Sequence, residues 1–172
     1  MSKIVLVTGG QSSGKSEFAE RYIKNYALSN SKQLVYVATA KVCDDEFRKR
    51  VERHQSRRGS EWINIEEEKQ ISCHDLSGKA VLVDCVTLWC VNYYDEKLST
   101  DDIVKLVTDE FDKIKTYDAT IVFVTNEIGL GGVSSNSLQR QFTDIQGRVN
   151  QYIASCADEV FFVVSGIPMK IK

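Results

Sequence analysis

Short apolar segments rich in β-branched residues recur along the chain and alternate with segments that have helical periodicity. The apolar runs are continuous, which is typical of strands in a parallel sheet that is covered on both faces. The predicted strands are residues 4–8, 34–38, 80–84, 119–125 and 160–165. This alternation predicts an α/β fold with a mostly parallel sheet and right-handed crossovers.

Apolar residues spaced three and four positions apart predict the helices. They lie within residues 18–26, 103–114 and 138–156. After a turn at Gly166, residues 168–172 are predicted to form one more short strand. We expect this strand to be antiparallel, because too few residues separate it from the preceding strand for a crossover.

The composition is that of a globular protein, and 172 residues predict a single domain spanning residues 1–172. A net charge of -2 argues against a protein that coats nucleic acid. No apolar stretch is long enough for a membrane span, and the first apolar run is too short for a signal peptide. The five scattered cysteines form no CxxC pair, which indicates buried thiols in a reducing cytoplasm and argues against a structural zinc site.

The strongest motif is residues 9–16, which fit G-x-x-x-x-G-K-[ST] between a predicted strand and a predicted helix. Backbone N–H groups of such a loop and the N-terminus of the following helix bind phosphate, so the sequence predicts a nucleoside triphosphate site. Lys15 is expected to neutralise phosphates and act in catalysis, and the Ser16 hydroxyl is expected to ligate Mg²⁺. The candidate nucleotide-binding residues are Gly9, Gly10, Gln11, Ser12, Ser13, Gly14, Lys15 and Ser16.

Asp84 ends an apolar predicted strand, the position at which P-loop enzymes place a carboxylate for Mg²⁺ or for general base catalysis. Taken alone, an aspartate at a strand end more often only caps the following turn. Its occurrence downstream of a P-loop favours a catalytic and Mg²⁺-binding role.

A basic run at residues 50–58 contains His54 and four arginines. On a helix, His54 would lie beside an apolar face and next to several cations, which favour a neutral, nucleophilic imidazole. The alternative is a solvated basic helix whose histidine only packs. His74 lacks such surroundings in the sequence and is expected at the surface.

The loop at residues 125–133 follows a predicted strand and contains three glycines within four positions. Loops at the carboxyl ends of parallel strands are where α/β sheets bind ligands. Residues 126–129 do not match the guanine-reading N-K-x-D motif, because Glu127 and Gly129 replace the lysine and the aspartate. A signalling GTPase is therefore disfavoured.

In combination these motifs resemble the bifunctional adenosylcobinamide kinase and adenosylcobinamide-phosphate guanylyltransferase family of cobalamin biosynthesis. The resemblance covers nearly the whole chain, through residues 8–16, 36–40, 50–58, 82–89, 124–129, 140–151, 157–160 and 163–168. It implies a P-loop NTPase domain of RecA-like type, a mostly parallel sheet with an antiparallel C-terminal strand, a cytoplasmic homotrimer, and a corrinoid small-molecule substrate.

The resemblance also implies two reactions. A nucleoside triphosphate, GTP or ATP with Mg²⁺, phosphorylates adenosylcobinamide, and GMP then passes from GTP to adenosylcobinamide-phosphate through a guanylylated histidine. His54 occupies the position of that histidine in the family's R-[IV]-x-x-H-x-x-R-R run. Further nucleotide contacts implied by the resemblance are Ala38, Thr39, Ala40, Gln55, Ser56, Arg57, Arg58, Glu66 and Asp84.

The chain departs from the family pattern at two positions, with Ser12 in place of the usual arginine and Gly59 in place of the usual proline. Loss of the arginine removes a cation from the phosphates, so we expect weaker nucleotide binding or a changed choice of triphosphate in the kinase step. Guanylyl transfer is expected to survive, because Lys15, Ser16 and His54 are retained.

Two alternative functions remain open from the sequence. The first is a P-loop kinase of another small metabolite that forms no covalent nucleotide intermediate, with His54 only binding phosphate. The second is a nucleotide-dependent switch or assembly subunit without a small-molecule substrate. The missing N-K-x-D motif and the absence of excess basic charge count against the second.

Overall fold

Seven strands form one sheet in the order β3-β2-β4-β5-β1-β6-β7, in a computed structural model that describes residues 2–40 and 59–172. The strands are β1 (Lys3–Gly9), β2 (Leu34–Ala38), β3 (Trp62–Glu66), β4 (Ala80–Asp84), β5 (Thr120–Asn126), β6 (Glu159–Val164) and β7 (Ile167–Lys170). The helices of the described residues are α1 (Lys15–Asn30), α2 (Val86–Tyr93), α3 (Thr100–Ile114) and α4 (Ser137–Cys156).

Strands β1 to β6 are mutually parallel, and β7 pairs antiparallel with β6. The five strands predicted from continuous apolar runs are confirmed to within one residue at each end. The three predicted helices and the antiparallel final strand are confirmed as well. Continuous runs form these strands because side chains on both faces of the sheet are buried.

The sheet separates two apolar clusters. On one face, α1 packs Ala19, Ile23 and Ala27 against side chains of β1, β2, β4 and β5. On the other face, α2, α3 and α4 cover a larger cluster whose central aromatic residues are Trp89 and Phe111. The P-loop helix therefore lies on one face of the sheet, and the last three helices lie on the opposite face.

The sequence patterns missed two elements. Strand β3 alternates buried Trp62 with exposed Ile63, because it is an edge strand and has no continuous apolar run. Helix α2 has eight residues and is apolar on nearly all sides, so it shows no helical periodicity. Val86, Thr87, Trp89 and Cys90 of this helix are buried, which explains most of its apolar composition.

Side-chain caps fix the start of two helices. The Ser99 hydroxyl accepts a hydrogen bond from Asp102 N–H and the Asp102 carboxylate accepts one from Ser99 N–H, which forms a capping box at α3. The Asn136 side chain accepts from the first N–H groups of α4. Among the described residues, no helix combines the length and the apolar character that a membrane crossing requires.

Because β1 to β6 are parallel, the loops that follow them meet along one edge of the sheet. These loops include residues 9–16 after β1, Thr39 after β2, Glu67 after β3, Cys85 after β4 and Glu127 after β5. The predicted functional residues within the described ranges belong to these loops or to the strand ends that precede them.

Candidate active site

The P-loop, residues 9–16, runs from the end of β1 to the start of α1. The Lys15 side chain is buried, and its Nζ donates a hydrogen bond of 2.9 Å to the Gly10 carbonyl oxygen. The lysine side chain therefore turns back toward the loop, and its ammonium group lies beside the backbone that would surround phosphate. The predicted placement of this loop between a strand and a helix is confirmed, and its binding of phosphate stays a prediction.

Two of the glycines are required by the geometry of the loop. A Cβ on Gly9 would lie 2.5 Å from the Val163 carbonyl oxygen and 2.7 Å from Ser13 Oγ, so β6 leaves no room for a side chain there. Gly14 has φ 89°, the left-handed conformation that favours glycine, and it directly precedes α1. Ser12 also has a positive φ, of 57°, and is exposed.

The turn between β6 and β7 is hydrogen-bonded to the P-loop. Gly166 N–H donates a 2.8 Å hydrogen bond to the Ser13 carbonyl oxygen. The hydroxyl oxygens of Ser13 and Thr8 are buried and have no hydrogen-bond partner within residues 2–40 and 59–172. Buried polar groups without partners are rare, and a phosphate oxygen at the loop would supply an acceptor for the Ser13 hydroxyl.

Three predicted site residues lie side by side at the carboxyl ends of neighbouring strands. In the register of the sheet, Ala38 of β2 pairs with Glu66 of β3 on one side and with Asp84 of β4 on the other. Paired residues of adjacent strands have their side chains on the same face, which here is the face covered by α1. Tyr36 OH donates a 2.8 Å hydrogen bond to Asp84 Oδ2, and this bond orients the carboxylate.

Thr39 joins the ends of two strands. Its fully buried hydroxyl donates to the Cys85 carbonyl oxygen at 2.8 Å and accepts from Cys85 N–H at 2.9 Å. Asn92 of α2 adds a 2.6 Å hydrogen bond to the Thr39 carbonyl oxygen. Thr39 thus positions the backbone beside Asp84, and its contact with nucleotide stays a prediction.

The predicted nucleophile His54 and its neighbours Gln55, Ser56, Arg57 and Arg58 lie outside the described residues. Their roles remain predictions from the sequence. Ala40, where the first described segment ends, is half-buried and directly follows Thr39 at the edge of the sheet that holds the P-loop.

A buried polar network on the opposite face was missed by the sequence patterns. Gln146 of α4 donates through Nε2 to the Asn126 carbonyl oxygen and to Thr87 Oγ1, and Asn150 Oδ1 accepts from Thr125 Oγ1. Gln146 and Asn150 are polar residues at i and i+4 within the predicted apolar stripe of residues 138–156, which is the signal that could have revealed them.

This network fixes the loop that follows β5. Beyond Asn126, Glu127 N–H donates a 3.0 Å hydrogen bond to the Gly9 carbonyl oxygen at the start of the P-loop. The glycine-rich loop predicted to lie near the ligand is therefore attached directly to the phosphate-binding loop.

The cysteines near the site are suited to packing rather than to nucleophilic chemistry. Burial, together with the charge of Asp84, raises the pKa of the Cys85 thiol to about 11, and burial raises the pKa of Cys90 to about 12. The prediction of buried thiols is confirmed for these two residues, whereas Cys73 is exposed and does not fit it. Cys73 is exposed because it ends a surface turn rather than an apolar segment.

Comparison with known proteins agrees with the geometry. The chain is 36% identical over 185 residues to the bifunctional adenosylcobalamin biosynthesis protein CobU of Escherichia coli, covering 98% of this chain and 99% of that protein. It is 35% identical over 174 residues to the bifunctional adenosylcobalamin biosynthesis protein CobP of Pseudomonas aeruginosa, covering 97% and 96%.

Among solved structures, the fold is similar to that of a KaiC-like protein from Pyrococcus horikoshii. The TM-score is 0.51 with 14% sequence identity, and the similarity covers 93% of this chain and 70% of that chain. This likeness shows the fold alone, a RecA-like P-loop domain. Residues 5–171 match the family described as cobinamide kinase / cobinamide phosphate guanyltransferase, and the chain belongs to this family.

Proposed function

We propose that this chain phosphorylates adenosylcobinamide with a nucleoside triphosphate and then transfers GMP from GTP to adenosylcobinamide-phosphate. The observation that carries the proposal is a complete P-loop, with Lys15 buried beneath it, in a chain whose family match extends over residues 5–171. The relatives' names supply the substrate class, and the geometry of the P-loop supplies the phosphate site.

Phosphate binding is assigned to the P-loop backbone and Lys15. The loop N–H groups and the N-terminus of α1 favour negative charge, and the Lys15 ammonium can exchange its bond to the Gly10 carbonyl oxygen for phosphate oxygens. The buried position of Lys15 strengthens this electrostatic interaction, because water screens it less than at the surface.

The residues at the site fit Mg²⁺. Ser16 in the first turn of α1 and Asp84 at the end of β4 offer hydroxyl and carboxylate oxygens, the ligands that Mg²⁺ prefers. Tyr36 binds Asp84 Oδ2, which leaves Oδ1 as the oxygen for the cation or its water shell. When bound, Mg²⁺ neutralises charge that develops on the phosphates.

His54 is assigned as the nucleophile of the guanylyl transfer. Its neutral imidazole nitrogen attacks the α-phosphorus of GTP, so a P–N bond forms, the bond to the β-phosphate oxygen breaks and pyrophosphate leaves. A phosphate oxygen of adenosylcobinamide-phosphate then attacks the same phosphorus and the P–N bond breaks. The neighbouring arginines Arg57 and Arg58 would stabilise the charge on the phosphates.

Intact-protein mass spectrometry tests this assignment. Incubation with GTP and Mg²⁺ is expected to add the mass of one GMP to the wild type and nothing to His54→Ala, with ATP as the nucleotide control. Peptide mapping of the adduct then shows which of the chain's two histidines carries it. A folded, GTP-binding wild type without an adduct would instead favour the kinase of another metabolite, in which His54 only binds phosphate.

The proposal includes the homotrimer implied by the family resemblance. Strand β7 is an edge strand with exposed apolar side chains, Ile167 at 67% and Met169 at 46%, and Ile171 beyond it is 64% exposed. Edge strands and clustered exposed apolar residues are typical of contact surfaces, which supports an assembly through this edge. Light scattering on the purified protein measures the number of chains directly.

A further inference from the structure

Three side chains that commonly ligate metals converge where the chain leaves β3. Glu67 directly follows this strand, and Cys73 and His74 lie at the end of the 3-10 turn Ile71–Cys73. One ligand atom from each lies within 4.8 Å of the other two. Glu67 Oε2 is 3.4 Å from His74 Nε2 and 3.9 Å from Cys73 Sγ.

These separations match the geometry of a tetrahedral zinc site. Zinc bond lengths are about 2.1 Å to oxygen and nitrogen and about 2.3 Å to sulfur. At the tetrahedral angle, these lengths place oxygen and nitrogen about 3.4 Å apart and oxygen and sulfur about 3.6 Å apart. The observed oxygen–sulfur distance is 3.9 Å, and the sulfur and the nitrogen lie within 4.8 Å of each other, so side-chain rotations would bring all three atoms onto one ion.

The carboxylate of Glu67 is already oriented for this role. Its Oε1 accepts hydrogen bonds of 2.9 Å from the backbone N–H groups of Lys69 and Gln70, which leaves Oε2 directed at Cys73 and His74. Hydrogen bonds to the second oxygen of a ligating carboxylate are a common feature of metal sites, because they fix its orientation.

The turn that carries Cys73 and His74 is anchored to the core. Ile71 is fully buried, Ser72 N–H donates a 2.8 Å hydrogen bond to Glu110 Oε1, and Tyr117 OH donates a 2.8 Å hydrogen bond to the Ser72 carbonyl oxygen. Both potential ligands thus extend from a backbone that is held in place, which lowers the cost of ordering them around an ion.

His74 Nε2 is a buried polar atom without a hydrogen-bond partner in the part of the chain that the structure describes. The nearby Glu67 Oε2 lies 3.4 Å from this nitrogen, at an ion-pair distance. A buried ring nitrogen that faces a carboxylate and a thiol in this way has the surroundings of a metal ligand.

We propose that Glu67, Cys73 and His74 bind a divalent transition-metal cation of the zinc class. A carboxylate and a thiolate supply two negative charges to balance the ion, and sulfur and imidazole ligands favour zinc, cobalt or nickel over Mg²⁺ or Ca²⁺. Three protein ligands with Cys73 exposed leave the fourth position to water. The site is separate from the Mg²⁺ ligands at the P-loop and does not depend on the proposed reactions.

The site has a direct connection to the nucleotide site through the chain. Glu66, which the family resemblance places at the nucleotide, is the residue before Glu67 and the last residue of β3. A cation bound to Glu67 would hold this end of the edge strand in place beside Ala38 and Asp84.

Zinc titration of the full chain tests the proposal. Protein stripped with a chelator is titrated with Zn²⁺ in competition with a chromophoric chelator, and Co²⁺ is used as a spectroscopic probe of thiolate ligation. We expect Cys73→Ser and His74→Asn each to weaken Zn²⁺ binding at least about tenfold. Cys73→Ser is also expected to remove the thiolate–Co²⁺ charge-transfer band.

Cys156→Ser is the matched control, because Cys156 is half-buried at the end of α4 and is not one of the three ligands. It should retain the affinity and the Co²⁺ band. Thermal unfolding of the variants without metal should match that of the wild type, since Cys73 and His74 are at least partly exposed. Zn²⁺ affinity and a Co²⁺ spectrum that are unchanged in both ligand variants, or no Zn²⁺ binding to the wild type, would overturn the proposal.

Discussion

Replacing Thr39 by valine removes one hydroxyl from the point where β2 and β4 end, with little change in side-chain volume. That hydroxyl is completely buried and bonds to both backbone polar groups of Cys85. The Cys85 carbonyl oxygen also accepts a 3.0 Å hydrogen bond from Trp89 N–H. The substitution therefore leaves Cys85 N–H as the group that loses its partner.

The expected loss of stability is the sum of three contributions. A buried N–H left without a partner costs about 1–3 kcal/mol, and the lost bond to the carbonyl oxygen adds about 1 kcal/mol. The extra methyl of valine returns about 0.8 kcal/mol through burial. We expect Thr39→Val to lower the free energy of unfolding by about 1–3 kcal/mol, which corresponds to roughly 2–12 °C in Tm for a chain of this size.

Denaturant unfolding followed by circular dichroism measures this effect. Thr39→Ser keeps the hydroxyl and loses one methyl, so we expect it to cost about 1 kcal/mol. Thr108→Val is a matched control, because the Thr108 hydroxyl on α3 only bonds back to carbonyl groups of its own helix. Its effect should stay within about 0.5 kcal/mol.

Two results would contradict this expectation: a Thr39→Val variant as stable as the wild type, or a Thr39→Ser variant that loses as much stability as Thr39→Val. Either result would mean that the hydroxyl does not hold the two strand ends together. A large loss in Thr108→Val would show that removal of any threonine hydroxyl destabilises this chain, and the specific assignment to Thr39 would fail.

Two further predictions concern the P-loop and the first residue of β6. Gly9→Ala should lower the free energy of unfolding by about 2–3 kcal/mol, because the added Cβ would lie 2.5 Å from the Val163 carbonyl oxygen. Gly10→Ala should cost less than about 1 kcal/mol in the same urea titration, because within residues 2–40 and 59–172 no atom other than those of its chain neighbours lies within 4 Å of the added Cβ; equal losses would contradict this contrast. At the start of β6, the hydrogen bond from Lys3 lowers the pKa of the Glu159 carboxyl group below its ordinary value. The ionised carboxylate therefore stabilises the folded protein above that ordinary value, and this stability is lost as the pH falls through the folded-state pKa. Unfolding free energies measured between pH 5 and about pH 3 should therefore fall more steeply in the wild type than in Glu159→Gln, and equal slopes would rule out this linkage.

Features that depend on contiguous residues could be predicted from the sequence. The continuous apolar runs located β1, β2, β4, β5 and β6, because each strand contributes buried side chains to the clusters on both faces of the sheet. The P-loop was recognised because its residues form a phosphate site through local backbone geometry, which requires no knowledge of the rest of the fold.

Features that depend on topology could not be predicted in the same way. Gln146 meets Thr87 across 59 positions of the chain, and the sequence pattern does not specify that α4 and α2 share a face of the sheet. Likewise, Glu67 approaches His74 only because the intervening turn is folded against Glu110 and Tyr117. Cysteine spacing, from which no structural zinc site is expected, does not report on a cluster of one glutamate, one cysteine and one histidine that only the fold brings together.

Hydrogen bonds between neighbouring loops connect the whole edge of the sheet at which the site lies. Gly166 bonds to Ser13 of the P-loop, Glu127 bonds to Gly9, and Thr39 bonds to Cys85. Asn92 then connects Thr39 to the Glu68 carbonyl oxygen, next to the proposed metal ligand. Each of these loops is hydrogen-bonded to a neighbouring loop, strand or helix. Hydrogen bonds thus connect the loops between the P-loop and the end of β3. A shift of the backbone at either end must therefore be accommodated by the loops between them.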